Sequence, residues 1–262
     1  MKIQVETENC NLQKYYNIEE FADSQIKITL RFDKIISRQS RKTSIDKLSG
    51  LIQSELSKFK WIIVGSILVD LTWYLNAVER QETDKIGDID NITKPIIDSL
   101  SGENGVFVDD SQIGGLYSYW ITRNDIYEDN VLVIQIKFNN DYVLYKENLK
   151  FIQYSNATCM PLNIDLNSKK DLFVAKILIA SRNKLRKAAS IIKSKGTNVD
   201  KYFVCSEYEF HRTRLSGFNS KSILTTDQVN KAIKNVNIKF SDVRKILINN
   251  KANKSNDIQS EI

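Results

Sequence analysis

Two carboxylate clusters bracket the most apolar helical pattern in this chain, and they limit how it can fold. The first is Gly87-Asp88-Ile89-Asp90-Asn91-Ile92-Thr93-Lys94, and the second is Val108-Asp109-Asp110-Ser111-Gln112. Between them Ile92, Ile96, Ile97 and Leu100 recur at helical spacing. Val106-Phe107-Val108 reads as a short strand that the second cluster interrupts. Asp88 and Asp90 flank the start of that helix, and Asp109 and Asp110 break the strand run. If the helix packs back on its neighbours, the two clusters meet. Carboxylates that meet repel each other and need compensation, most simply from a hard divalent cation such as Mg²⁺.

The flanking patterns imply an α+β fold. Ile26-Lys27-Ile28-Thr29-Leu30-Arg31-Phe32 alternates apolar and polar as a half-buried strand does, and Ile67, Val69, Leu71, Trp73 and Leu75 alternate along a longer one. The segment 33–42 is a basic loop. Ser44 is placed to cap a helix carrying Ile45, Leu48, Leu51, Ile52, Leu56 and Phe59. Glu79–Lys85 reads as a polar loop leading into Asp88. Pro95 lies inside the helical pattern, so regular helix either starts near it or kinks there. Asp88 and Asp90 fall at or before the helix entrance, where backbone N–H groups favour negative charge, and Asp90 or Asn91 could serve as an N-cap. Leu116–Ile121 and Val131–Phe138 read as further strands.

Composition removes several classes of function. His211 is the single histidine, far in sequence from the aspartates, so catalytic triads and histidine-rich metal sites are disfavoured. Cys10, Cys159 and Cys205 are odd in number and widely spaced, which fits buried thiols better than a disulfide framework or a zinc site. No apolar run has the length of a membrane span, and Met1-Lys2-Ile3-Gln4-Val5-Glu6 lacks a signal peptide's apolar core; the expectation is a cytoplasmic protein that engages no membrane. The net charge of +6 is unevenly spread. Residues 25–60 carry nine Lys/Arg against three Asp/Glu, residues 61–140 five against thirteen, and residues 141–262 twenty-two against eleven. An acidic middle between basic flanks suits an enzyme that holds cations and binds phosphates.

The spacing Asp88-x-Asp90-Asn91-x-x-Lys94, a helix with Asp98, then Asp109-Asp110-x-Gln112 resembles the signature of the RusA-like Holliday-junction resolvases. Gly105-Val106-Phe107-Val108, leading into the aspartate pair, resembles that family too. The likeness is strong over about residues 86–116, extends as an order of elements back to about residue 25, and stops near residue 140. It implies a RusA-like core with a mixed or antiparallel sheet and two helices. It also implies a crossover junction endodeoxyribonuclease, acting on four-way or other branched DNA as a homodimer with Mg²⁺, one or two ions, Mn²⁺ being a substitute.

Asp88, Asp90 and Asp110 are the expected metal ligands; Asp110 is preferred over Asp109 because it aligns with the family's catalytic aspartate and because strand neighbours face opposite ways. Lys94 either reaches the scissile phosphate or forms an i,i+4 ion pair with Asp90 or Asp98. Asp98 is expected behind the metal ligands or as a partner of Lys94, and Gln112 either orients water or backbone or packs. Arg38, Arg41 and Lys42 of the basic loop are expected phosphate contacts.

Two domains are expected: an endonuclease domain over residues 1–145 and a basic, mainly helical region over 146–262. Ser168 to Lys195 reads as one long helix with nine Lys/Arg and one Asp. Val174, Leu178, Leu185, Ala188 and Ile192 form its expected apolar stripe, Gly196 its stop, and Arg182, Arg186 and Lys187 its expected DNA contacts. A strand at Tyr202–Cys205 and helices over 227–236 and 241–248 follow. Three functions fit: a junction resolvase, a nuclease of other branched or duplex DNA, and a non-catalytic DNA-binding scaffold. Retention of every motif carboxylate with Lys94 disfavours the last.

Overall fold

Buried and partly exposed residues alternate along the whole of Ile67–Asn76, so this strand offers one face to a core. It is β4 of a five-stranded sheet. The others are β1 (Ile3–Glu8), β2 (Ser24–Phe32), β5 (Ile113–Arg123) and β6 (Asn130–Phe138), in the order β1-β2-β6-β4-β5. β1–β2, β2–β6 and β6–β4 pair antiparallel, whereas β4 and β5 are parallel. A parallel pair needs a crossover, supplied here by the helix between the two aspartate clusters. β3 (Trp61–Ile63) and β7 (Val143–Tyr145) form a separate antiparallel pair. The fold is α+β with a mixed sheet. The computed structural model describes residues 3–8, 24–76, 88–123, 130–199 and 209–236; the expected loop at Glu79–Lys85, strand at Tyr202–Cys205 and helix at 241–248 lie outside them.

Helices α1 (Lys42–Leu56) and α2 (Ile89–Leu100) cover the sheet. Leu48, Ile52 and Leu56 of α1 join Ile92, Ile96, Ile97 and Leu100 of α2 and the inward residues of β4 in one core. Trp73 stacks on Phe32, and Trp61 packs against Phe59 and Phe138. α1 starts before Ser44: Arg41 stands at its N-cap, with no side-chain cap bond. Regular helix does not wait for Pro95 either. α2 begins at Ile89, six residues ahead, and runs through the proline. The carbonyl that Pro95 cannot bond, that of Asn91, accepts the backbone N–H of Arg38 at 2.8 Å instead. One missing amide thus ties the basic loop to the motif helix.

Val106–Val108 is no regular strand; single bridges tie Phe107 to Ile63 and to Ser101. The chain turns too tightly on either side. A Cβ on Gly105 would lie 2.1 Å from the Leu100 carbonyl oxygen, so only glycine allows Val106 N–H to reach that oxygen at 2.8 Å.

The chain divides into two compact units, Met1–Glu147 with Thr213–Asn219, and Asn148–Arg212 with Ser220–Ile262. The second holds a four-stranded sheet ordered β10-β9-β8-β11, from β8 (Leu149–Gln153), β9 (Thr158–Asn163), β10 (Phe210–His211) and β11 (Ile223–Thr225). Its helices are α3 (Lys169–Ser194) and α4 (Thr226–Asn235). Ser168 caps α3 by accepting from Asp171 N–H, and Gly196, with φ of 84°, follows its end. α3 buries Leu172, Ala175, Ile179 and Ala189; Val174, Leu185 and Ile192 of the expected stripe are exposed. The helix is apolar around much of its circumference, so periodicity does not choose the face. Packing against Ile152, Met160, Leu224 and Val229 does. Cys159 is a free, buried thiol, pushed up to about 11 by that burial, as an inert core cysteine should be. No helix among the described residues is long and apolar enough to cross a membrane.

Candidate active site

The α2 entrance places the first cluster at the surface. Asp88 is the N-cap residue and Asp90 lies in the first turn; both are exposed. Asp88 makes no side-chain cap hydrogen bond, so its carboxylate is not consumed by the helix end. One turn on, Lys94 donates to Asp110 Oδ2 at 2.7 Å and lies 2.6 Å from Asp98 Oδ1. Of the two i,i+4 partners open to Lys94, Asp98 is the one it pairs with, and the same ammonium bridges to the second cluster.

The second cluster is not a strand. Asp109 caps a short 3-10 turn, Asp110–Gln112, so the argument from alternating strand faces does not apply here. Asp109 Oδ2 accepts Ser111 N–H at 3.0 Å. Gln112 is buried, and its amide is spent on backbone. Oε1 accepts Val108 N–H at 2.7 Å and Asp109 N–H at 3.0 Å, while Nε2 donates to the carbonyls of Ile63 at 3.0 Å and Gly65 at 2.7 Å. Four bonds from one side chain clasp the turn to the end of β3 and aim Asp110 at α2.

Arg214 is the residue that the sequence did not disclose. It lies in the Thr213–Asn219 segment, and its Nη1 is 3.5 Å from Asp110 Oδ1 and 3.7 Å from Asp109 Oδ2. The Lys94 hydrogen bond outweighs the opposing effect of burial and, with the nearby Arg214 charge, holds the Asp110 carboxyl below its ordinary range. Burial pulls the Lys94 ammonium down, but its bonds to Asp110 and Asp98 leave it above its ordinary value. At neutral pH the pair is therefore charged on both sides, and Lys94 acts as a cation, not as a base.

The donor chemistry suits a hard cation: the exposed or half-buried oxygens of Asp88, Asp90 and Asp110, with no thiol or imidazole among them. The spacing is more open. No group of three acidic, histidine or cysteine side chains among the described residues is close enough to hold an ion. Lys94 and Arg214 each engage one oxygen of Asp110. An ion shared by the three aspartates would compete with Lys94 and Arg214 for Asp110.

The basic loop flanks this helix. Arg38, Arg41 and Lys42 are exposed, and a groove of about 600 Å³ is lined by Lys34, Gln39, Ser40 and Arg41 among others. In the second unit the expected DNA contacts of α3 divide. Arg182 lies 3.6 Å from the buried Glu209 carboxylate. Arg186 donates to Ser155 Oγ at 3.3 Å and Thr158 Oγ1 at 3.4 Å and lies over the Tyr154 ring. Lys187 is exposed. Changing Arg182, Arg186 and Lys187 together to Gln is thus expected to flatten the salt dependence of DNA binding by about one unit, not the three that three phosphate contacts would give. It should also cost the unit about 1–3 kcal/mol through its lost internal bonds. Salt titration and urea unfolding of the same variant measure both.

Comparison with known proteins bears on the first unit. No curated protein gives a match to the chain. Residues 18–137 match the family described as Endodeoxyribonuclease RusA, a span that contains β2, β4, β5, all but the last residue of β6, both covering helices and both aspartate clusters. The likeness to the endodeoxyribonuclease RusA family thus covers the part of the first unit that carries both aspartate clusters.

Proposed function

We propose that this protein is a divalent-metal-dependent endonuclease that resolves Holliday junctions by paired nicks in recombination and repair. The observation that carries the reading is the Lys94 bridge from the motif helix to Asp110, inside a domain similar to a DNA-cutting family. Asp88, Asp90 and Asp110 would hold Mg²⁺, or Mn²⁺ in its place. When bound, such an ion lowers the pKa of a water molecule and screens the phosphate oxygens. Asp110 keeps its charge because Lys94 and Arg214 oppose protonation. Lys94 meets the charge that builds on the phosphate as water attacks phosphorus. Asp98 holds the Lys94 ammonium from its other side. Asp109 and Gln112 position Asp110 through the 3-10 turn. Arg38, Arg41 and Lys42 bind the backbone of the strand, next to the cutting site because Arg38 is bonded to α2.

Two symmetric cuts call for two sites, and hence for a homodimer. The outermost strand supports this. β5 has no partner on its far edge among the described residues, and Leu116, Tyr117, Tyr119 and Ile121 are exposed along it. A long apolar edge strand is a surface that seeks pairing.

The test is cleavage by the purified chain of a synthetic four-way junction beside a linear duplex of matched sequence, with Mg²⁺ and with EDTA. Symmetric nicks in the junction alone, lost in EDTA, are expected. Equal cutting of the duplex would replace junction resolution by a general duplex nuclease. Sedimentation of the same preparation should give twice the chain mass of 30.2 kDa.

A further inference from the structure

Arg214 lies outside the family-matching span of residues 18–137, yet it reaches that domain's aspartates. Residues 213–219 join the first unit, although the chain before and after them belongs to the second. The segment is held at Gly217 and Asn219. Glu103 N–H donates to the Gly217 carbonyl at 3.3 Å, and Asn219 N–H donates to Glu103 Oε2 at 3.2 Å. The approach is close because both backbones lack side chains: a Cβ on Gly217 would stand 3.3 Å from Gly102 Cα, and Gly102 itself has φ of 90°.

The contacts that Arg214 makes with the aspartates do not explain this as stability. The Arg214 side chain is 52% exposed, and ion pairs of 3.5–3.7 Å at such a surface contribute little. Both contacts use Nη1, while a guanidinium carries five N–H donors in a fork that matches phosphate. Lys94 is on the other oxygen of Asp110, so two accessible cations flank one carboxylate. Beside them a cleft of about 400 Å³ is lined by Asp98, Asp109, Arg214 and Gly217 among others.

We propose that Arg214 is a catalytic residue of this enzyme, binding a non-bridging oxygen of the phosphate under attack on the side opposite Lys94. The proposal rests on the nuclease reading above. It gives the region beyond the family's span a defined task, delivery of a guanidinium in cis to the reacting phosphate. Negative charge grows on the non-bridging oxygens as water adds to phosphorus, and a planar donor fixed there opposes that growth.

The experiment compares full-length wild type, Arg214→Ala, Arg214→Lys and Asp88→Asn. Single-turnover cleavage of a four-way junction is measured in Mg²⁺, and junction binding in EDTA is titrated with salt. Arg214→Ala should cut roughly 100-fold more slowly with an unchanged melting temperature, and Arg214→Lys should recover part of the loss. In EDTA the Ala variant's salt slope should flatten by about one unit. Unchanged or faster cutting by Arg214→Ala would overturn the proposal and make Arg214 a counter-ion of Asp110. A slow Ala variant with a lowered melting temperature and no rescue by Lys would also overturn it, in favour of an anchoring role. Full cutting by Asp88→Asn would remove Asp88 from the site, and absence of cutting by wild type would instead sink the nuclease reading. The salt slope in EDTA still decides in that case whether Arg214 touches phosphate.

Discussion

Asp88→Asn, Asp90→Asn and Asp110→Asn are each expected to stop junction nicking, slowing it roughly 1,000-fold or more, while junction binding in EDTA stays largely intact. Asparagine keeps the shape of aspartate and removes the charge that holds a cation. The three changes should differ in their side effects. Asp88 and Asp90 are exposed, and Asp88 makes no side-chain hydrogen bond to the helix end, so their loss should move stability by no more than about 0.5 kcal/mol. Asp110 is the shared partner of Lys94 and Arg214, so Asp110→Asn also leaves two cations less compensated. The measurement is cleavage, EDTA binding and thermal unfolding on one preparation of each variant. Full cleavage by any of the three would remove that residue from the site.

Gln112→Ala should have the largest effect on folding of any single change near the site. Its side chain makes four hydrogen bonds to the backbone at 2.7–3.0 Å and is 7% exposed. Truncation leaves the N–H groups of Val108 and Asp109 and the carbonyls of Ile63 and Gly65 without that partner. Unpaired buried polar groups cost about 1–3 kcal/mol each, partly recovered by water, so a loss of about 3–5 kcal/mol is expected. Gln112→Glu tests the geometry more finely. It keeps the acceptor for the two amides but turns a carboxylate oxygen toward two carbonyls, and should be nearly as damaging. Cleavage should fall in both variants even below their unfolding midpoints, because Asp110 is carried by the same turn. A wild-type urea midpoint for Gln112→Ala would mean that the turn is held by something else.

The elements that position the site were largely legible because they follow from periodicity. Alternation marks β2 and β4, and a repeat of three and four marks α2; each pattern has one face that water must leave. The aspartate spacing was legible as chemistry, because few folds tolerate so many carboxylates beside an apolar helix. What periodicity could not decide was local hydrogen bonding. Pro95 reads as a break, yet the helix continues because Arg38, distant in sequence, satisfies the carbonyl that the proline leaves free. Asp109 and Asp110 follow an apolar run and read as strand, yet Asp109 and Gln112 close a capped turn on each other.

The second unit shows the same division. The long helix was legible from Ser168 to its end near Gly196, because its cap, its length and its stop are local. Its buried face was not, since an apolar surface wider than one stripe leaves the choice to whatever packs against it. For the same reason Arg182 and Arg186 read as contacts to DNA, while the folded unit turns them toward Glu209, Ser155 and Thr158. Arg214 is the extreme case. Nothing in Thr213-Arg214-Leu215-Ser216-Gly217-Phe218-Asn219 marks it as part of a site more than a hundred residues earlier in the chain. The sequence by itself determined the α+β elements, the aspartate motif and the charge on which its chemistry depends. Only the tertiary structure decided which cations meet Asp110, because a contact between distant segments depends on how the backbone between them returns, and no local pattern encodes that return.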